Sequence, residues 1–258
     1  MKDVSLLINN GVNVQKSLEL FGDMATYDAT LGDFLADIGE KEMKIKHYKE
    51  VGDMANYSIL VHGLKSDAKY FGFDTLAELA YQHEMASKEN NLYYVTEQFN
   101  SLIQELDRIV HLVKQYLGLE AAGTTTTVVT QRKDKAIIVV DDSAVIKNFI
   151  QKIFDNEFSV LMASDGNEAL QLIRQNQDIK IVGMLLDLNM PNVNGFQVLE
   201  YFKNNNLFDK MPVSIITGVG NDELIAHAFE YPIVDVLKKP FNERDIKAVV
   251  EKTIQYAH

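Results

Sequence analysis

The 258-residue chain has no cysteine. That excludes a disulfide framework and a thiolate metal centre, and it leaves the redox compartment open. No apolar run approaches the roughly 18 to 20 residues that a membrane helix needs; IVGMLL and AIIVV are strand-sized. The opening MKDVSLLINNG lacks the long apolar core of a secretory signal, so a cytoplasmic protein with no membrane partner is expected. Basic clusters are also missing. The net charge of −12 divides into −8 over residues 1–120, +1 over 121–134 and −5 over 135–258. Binding a nucleic-acid backbone requires a dense cationic face, so no nucleic-acid partner is expected. The sequence carries no Gly-x-x-x-x-Gly-Lys-Ser/Thr loop and no glycine-rich nucleotide lid, so ATP is not expected to be the phosphoryl source. No DNA-binding segment is expected after the second half.

What is present suits a soluble globular protein of two domains. Apolar residues make up 47% of the chain and charged ones 24%, enough for real cores. Composition changes at AAGTTTTVVTQRKD, residues 121–134. Four threonines in a row after a glycine keep no helical face, so a flexible linker is expected there. An ordered edge strand is the alternative, because threonine is β-branched. Residues 1–120 read as all-helical. Apolar positions recur every three or four residues near 13–25, 27–50, 53–71, 74–88 and 91–118, with breaks at Gly52-Asp53, Gly72 and Asn90-Asn91. Asp53 and Asp74 are the expected N-caps. Long helices with short joints predict an antiparallel four-helix bundle. In residues 135–258, apolar runs at 136–140, 158–163, 181–188, 213–217 and 233–237 alternate with helical stretches. That alternation predicts a doubly wound parallel α/β sheet of five strands, with ligands at the carboxyl ends of the strands.

On a helical wheel of residues 57–73, Tyr57, Leu60, Leu64 and Phe71 fall opposite His62. Ser58, Lys65, Ser66 and Lys69 gather around it. The wheel therefore predicts an imidazole facing water amid small and basic residues. Neutral imidazole is a nucleophile near physiological pH, which suits a phosphoryl acceptor, and Lys65 would offset the charge that a phosphate brings. The plain alternative is an incidental surface histidine, one of six in the chain.

The stretch HGLKSDAKYFG resembles the signature of histidine phosphotransfer (HPt) domains, which are four-helix bundles. His62, Leu64, Lys65, Ser66 and Gly72 match in place, and the resemblance covers about residues 10–118. Ser66 stands where many members have glycine. The resemblance implies that His62 carries a phosphoryl group. Glu84 occupies the position, 22 residues on, from which some relatives orient the imidazole; the alternative for Glu84 is a solvated helix face. Phe73 is a candidate anchor for a docking partner, or else a core residue at a helix end.

In the second half, Asp141 and Asp142 follow the first strand, Asp187 ends the third in LLDLNMPNVNG, Thr217 ends the fourth and Lys239 the fifth in VLKKPF. A parallel sheet brings these ends to one rim. Three carboxylates there repel one another unless a cation binds, and hard oxygen donors favour Mg²⁺ or Mn²⁺. Singly, each piece reads as a cap, a turn or punctuation before a helix. Together they resemble the receiver domain of bacterial response regulators over essentially all of 135–258. The matching positions are Asp141-Asp142, Asp187 with Met190-Pro191 and Gly195, Thr217, and Lys239-Pro240. That resemblance implies a flavodoxin-like strand order of 2-1-3-4-5 and Asp187 as phospho-acceptor. It also implies a metal held by Asp141, Asp142, Asp187 and the Asn189 carbonyl, with Thr217 and Lys239 on the phosphoryl oxygens. Lys238 is expected on the opposite face. Two positions depart from the pattern: Val236 stands where an aromatic often serves as a switch, and Gly218 where alanine is common.

A histidine carrier joined to an aspartate carrier reads as two stations of a phosphorelay. The implied partners are a sensor or hybrid histidine kinase, or other receiver or HPt proteins, and the chain would be a carrier rather than an ATP-using enzyme. One alternative is a binding module whose receiver half gates the His62 face. The other is an Asp-nucleophile phosphohydrolase, disfavoured because such enzymes want a proton-donating carboxylate where this chain has Asn189.

Overall fold

The computed structural model describes residues 2–119, 134–176, 179–218 and 222–256. The chain separates into two compact units, 1–127 and 128–258. The expected linker, apart from Asp134, lies outside the described residues. No described helix is long and apolar enough to cross a membrane.

Among the described residues the first unit holds six helices: α1 (Val4–Asn9), α2 (Val14–Phe21), α3 (Met24–Val51), α4 (Met54–Tyr70), α5 (Asp74–Lys88) and α6 (Leu92–Leu117). Four are long, as the periodicity predicts, and α1 is an additional short turn of helix. Their ends follow side-chain chemistry. The Asp23, Asp53 and Asn91 side chains accept from the Thr26, Asn56 and Tyr94 amides at 2.8–3.1 Å, and Gly52 and Gly118 close α3 and α6 in left-handed conformations. Asp74 is not an N-cap. Phe73 takes that position and Asp74 is the first helical residue, because the Gly72 turn delivers the chain one residue earlier.

The core of this unit is aromatic. Phe21, Tyr27, Phe34, Phe71 and Phe73 stack or tilt at centroid distances of 5.5 to 6.0 Å. Phe73 is thus a core residue and not a surface anchor. The Tyr27 hydroxyl donates to the Phe71 carbonyl at 3.2 Å, giving that buried polar group its partner. An ion pair, Lys41 Nζ to Asp67 Oδ2 at 2.7 Å, is buried between α3 and α4.

The second unit is a five-stranded parallel sheet in the order β2-β1-β3-β4-β5. Its strands are β1 (Lys135–Val140), β2 (Ser159–Ala163), β3 (Lys180–Asp187), β4 (Val213–Gly218) and β5 (Val236–Lys239). The helices are α7 (Ala144–Phe154), α8 (Gly166–Gln175), α9 (Gly195–Asn204), α10 (Asp222–Ala228) and α11 (Glu243–Gln255). After its first residue, β1 is buried throughout, and so are β3 and β4. This is why their sequences run apolar without alternation. The fifth strand corrects the reading of IVDVL: β5 begins at Val236, three residues later than expected. Residues 234–235 still touch β4 through single bonds, Val234 N to the Val213 carbonyl and Ile215 N to the Asp235 carbonyl, at 2.8 and 2.9 Å.

Gly72 illustrates how tightly the helical unit closes. Its φ is +70°, and a Cβ there would run into the Asn13 backbone. Asn13 also donates its amide to the Gly72 carbonyl at 2.9 Å. Gly72→Ala is expected to cost about 3 kcal/mol, from left-handed strain plus the clash, measured as a shift in the urea midpoint of the full chain.

Candidate functional site

The strand ends of the second unit converge as the parallel topology requires. Asp141 leaves β1 and is fully buried; its Oδ1 accepts the Ser143 amide at 2.9 Å. Asp187, the last residue of β3, is equally buried and accepts the Asn189 amide on Oδ1 at 3.0 Å. Gly195 braces this turn from behind. Its amide donates to the Leu188 carbonyl at 3.2 Å, and a Cβ at Gly195 would collide with the Asp187 carbonyl. Pairing of Asp187 with Ile216 leaves Thr217, also buried, one residue farther along β4 on the rim.

On β5, Lys239 is buried and Lys238 exposed, as strand alternation predicts. The Lys239 ammonium lies 2.5 Å from Asp187 Oδ2 and 2.6 Å from Asp141 Oδ2. Burial alone would pull its proton off, yet Asp141, Asp187 and Asp142 together raise its pKa, so it stays cationic. For Asp141, burial pushes the carboxyl above its usual range; Lys239 offsets part of that, and the charge of Asp187 adds to it.

Asp141, Asp142 and Asp187 each present a carboxylate oxygen, all within 4.8 Å of one another. Two of these residues are fully buried and one is partly exposed. Hard anionic oxygens crowded in this way suit a divalent cation of the Mg²⁺ type. The sequence-predicted residues Asp141, Asp142, Asp187 and Lys239 therefore meet at one point. Asn189 joins them through its amide.

The helical unit holds a second cluster, and here one expectation fails. The His62 ring is not presented to water; the residue is only 3% exposed. Ser58, Lys65 and Ser66 are buried as well, and of the predicted basic surface stripe Lys69 alone is partly exposed. The wheel assumed one buried face, but α4 packs against α2, α3 and α5, and its small residues let those neighbours close around it. Within this interior Glu84 takes the orienting place. Its Oε1 is 2.8 Å from His62 Nδ1 and 2.6 Å from Lys88 Nζ, and its Oε2 is 2.6 Å from Lys65 Nζ. Lys65 also approaches His62 Nδ1 at 3.3 Å. Burial raises the Glu84 pKa, but the hydrogen bonds and charge of His62, with Lys65 and Lys88, outweigh it and hold the carboxyl well below its ordinary range. Burial depresses the Lys65 ammonium despite Glu84.

In the neutral form of the ring, a carboxylate on Nδ1 fixes the proton there and leaves the lone pair on Nε2. That atom is buried and has no hydrogen-bond partner. Lys65 thus sits on the Nδ1 side, with Glu84, and not beside the nitrogen that would carry a phosphate. The sequence reading missed Lys88, although its spacing of four residues from Glu84 on one helix is a visible signal.

Comparison with known proteins bears on the second unit. Residues 137–251 match the family described as response regulator receiver domain. The transcriptional regulatory protein CpxR of Klebsiella pneumoniae is 31% identical over 119 residues, which are 46% of this chain and 48% of that protein. The chain thus spans about half the length of that relative. A chemotaxis protein CheY homolog of Campylobacter jejuni is 28% identical over 118 residues, 44% of this chain and 88% of that protein. A crystal structure of a response regulator receiver domain protein from Clostridium thermocellum is 26% identical, covers 47% of this chain and 94% of its own, and has a TM-score of 0.42. With its acidic rim, apposed lysine and matching sequence, the C-terminal unit carries a response regulator receiver domain of the two-component type.

Proposed function

We propose that this protein is a two-component phosphoryl carrier that accepts the group on Asp187. The observation that carries the reading is the Lys239 ammonium bridging the buried Asp187 and Asp141 carboxylates. The two buried acids are stable as anions only beside fixed positive charge. The same charge is what an incoming phosphoryl group needs. An Asp187 carboxylate oxygen attacks phosphorus, and the donor's bond to that phosphorus breaks in line. Lys239 and Thr217 then face the phosphoryl oxygens. Asp141, Asp142 and Asp187, with the Asn189 carbonyl, would hold a divalent cation, which when bound neutralises charge on the carboxylates and the transferred group. A histidine kinase or a phosphohistidine carrier is the corresponding donor, and no ATP chemistry is assigned to the chain.

For the helical unit, two readings divide on His62. A relay through His62 draws support from the HPt-like residues and from Nδ1 held by Glu84 with Nε2 left unbonded. The sealed ring favours the other: the helical unit is a module regulated by the receiver, and His62 is part of its buried polar network. In the relay, Nε2 must first be uncovered by a local opening, so transfer would be slow and responsive to helix destabilisation.

Labelling with ³²P from a small-molecule phosphodonor and Mg²⁺ separates these readings. Wild-type chain is expected to take up acid-sensitive label, Asp187→Asn to lose it, and removal of the divalent ion by a chelator to abolish uptake. Label that persists in Asp187→Asn and is stable to acid would end the carrier proposal. A base-stable, acid-labile fraction that disappears in His62→Gln supports the relay; unchanged labelling and output in His62→Gln supports the regulated module.

Glu84 provides a separate expectation. Glu84→Gln leaves the buried Lys65 ammonium without its counter-ion and is expected to cost about 3 kcal/mol at neutral pH, measured by urea unfolding. The sign with pH follows from the depressed carboxyl. Its contribution is complete above the unfolded-state carboxylate range and is lost progressively as pH falls from there toward the lower folded value. The gap between wild type and Glu84→Gln should therefore narrow as pH drops below about 4.

A further inference from the structure

The loop that follows Asp187 is tied to a loop with no assigned role. Between β2 and α8, Asp165 caps its own helix, accepting the Glu168 amide on Oδ1 at 3.0 Å. Its other oxygen, Oδ2, accepts the side-chain amide of Asn192 at 2.8 Å. One residue on, the Gly166 amide donates to the Val193 carbonyl at 2.9 Å. A Cβ at Gly166 would meet the Val193 and Val198 side chains and the Val193 carbonyl at 2.5 to 2.8 Å, so the two loops touch with no room between them.

Asn192 holds a left-handed backbone, φ +62°, a conformation asparagine tolerates better than most residues. The contact continues outward: Lys147 of α7 donates to the Ser164 hydroxyl at 2.8 Å, and α7 begins just after Asp141-Asp142-Ser143. Helix α7 and the loops after β2 and β3 are thus joined by hydrogen bonds in series.

The geometry points to Asn192 as a positioning residue for phosphoryl acceptance, acting through Asp165 to hold the 188–194 loop, and with it the Asn189 amide on Asp187, in place. Solvent reaches the Asn192 side chain, so its bond contributes little to stability. Its effect is on alignment, where small displacements at a reacting carboxylate are costly in rate. This inference rests on Asp187 as the acceptor.

A donor–acceptor swap tests it in the full chain. Asn192→Asp keeps a residue tolerant of the left-handed backbone but sets two carboxylates against each other. Adding Asp165→Asn restores the bond with its polarity reversed and keeps a good helix cap. With phosphoramidate and saturating Mg²⁺, the phosphorylation rate of Asn192→Asp is expected to fall roughly tenfold with little change in thermal midpoint. The double variant should return to within about twofold of wild type. Asn192→Gly, which keeps the backbone and removes only the amide, should be slowed like the single variant.

A wild-type rate in Asn192→Asp or Asn192→Gly, or a double variant as slow as the single one, overturns the assignment. Amide hydrogen exchange at Gly166 reads the strap without phosphorylation: faster in Asn192→Asp and restored in the double variant, or else the strap is not there. Should wild type and Asp187→Asn label alike, the acceptor reading fails, while this exchange result still decides the strap.

Discussion

A lysine ammonium held between two fully buried carboxylates governs the second unit. Asp141 and Asp187 reach the rim from neighbouring strands, and without Lys239 their mutual repulsion would add to the cost of burial. Many features of the unit's sequence serve to bring these three together. The continuous apolar strands bury the sheet on both faces, which fixes the parallel order. That order places successive strand ends side by side, and Gly195 lets the chain after β3 turn back hard against the Asp187 carbonyl.

The first unit answers the same electrostatic problem in a different way. Its buried charges are distributed among helices: Lys41 with Asp67 between α3 and α4, and Glu84 of α5 with Lys65 of α4. Such pairs contribute little net stability over apolar packing, but breaking one is expensive. They fix how the helices register against one another. The Glu84 group gathers one carboxylate, two lysines and the His62 ring, with the half-exposed Lys88 at its edge.

Much of this was legible in the residues. The Asp53 cap, the breaks at Gly52, Gly72 and Asn90-Asn91 and apolar periodicity located the long helices to within a few residues. The strand runs and their terminal Asp, Thr and Lys located the rim, because in a parallel sheet order along the chain becomes adjacency in space. The failures have physical causes. A wheel divides a helix into two faces, but α4 is a central helix. With Gly63, Ser66 and Ala68 along it, the polar residues that appeared to face water are enclosed by neighbouring helices. Phe73 looked available at a helix end because the aromatic cluster that absorbs it is assembled from α2, α3 and the α4–α5 turn, contacts remote in sequence. The start of β5 was misplaced because IVDVL is apolar well before regular pairing with β4 begins. Asp165 and Asn192 carry no signal as a pair, being 27 residues apart in ordinary turn contexts.

The sheet order has a mechanical corollary. Asp141 and Asp187 are borne by β1 and β3, each flanked by strands on both sides, whereas Lys239 is borne by β5, a four-residue border strand with one neighbour. The anionic half of the site is a stiff wall and the cationic half a compliant one. Any redistribution of negative charge at Asp187 will therefore be felt first as a displacement of the sheet's outer margin, leaving its centre still.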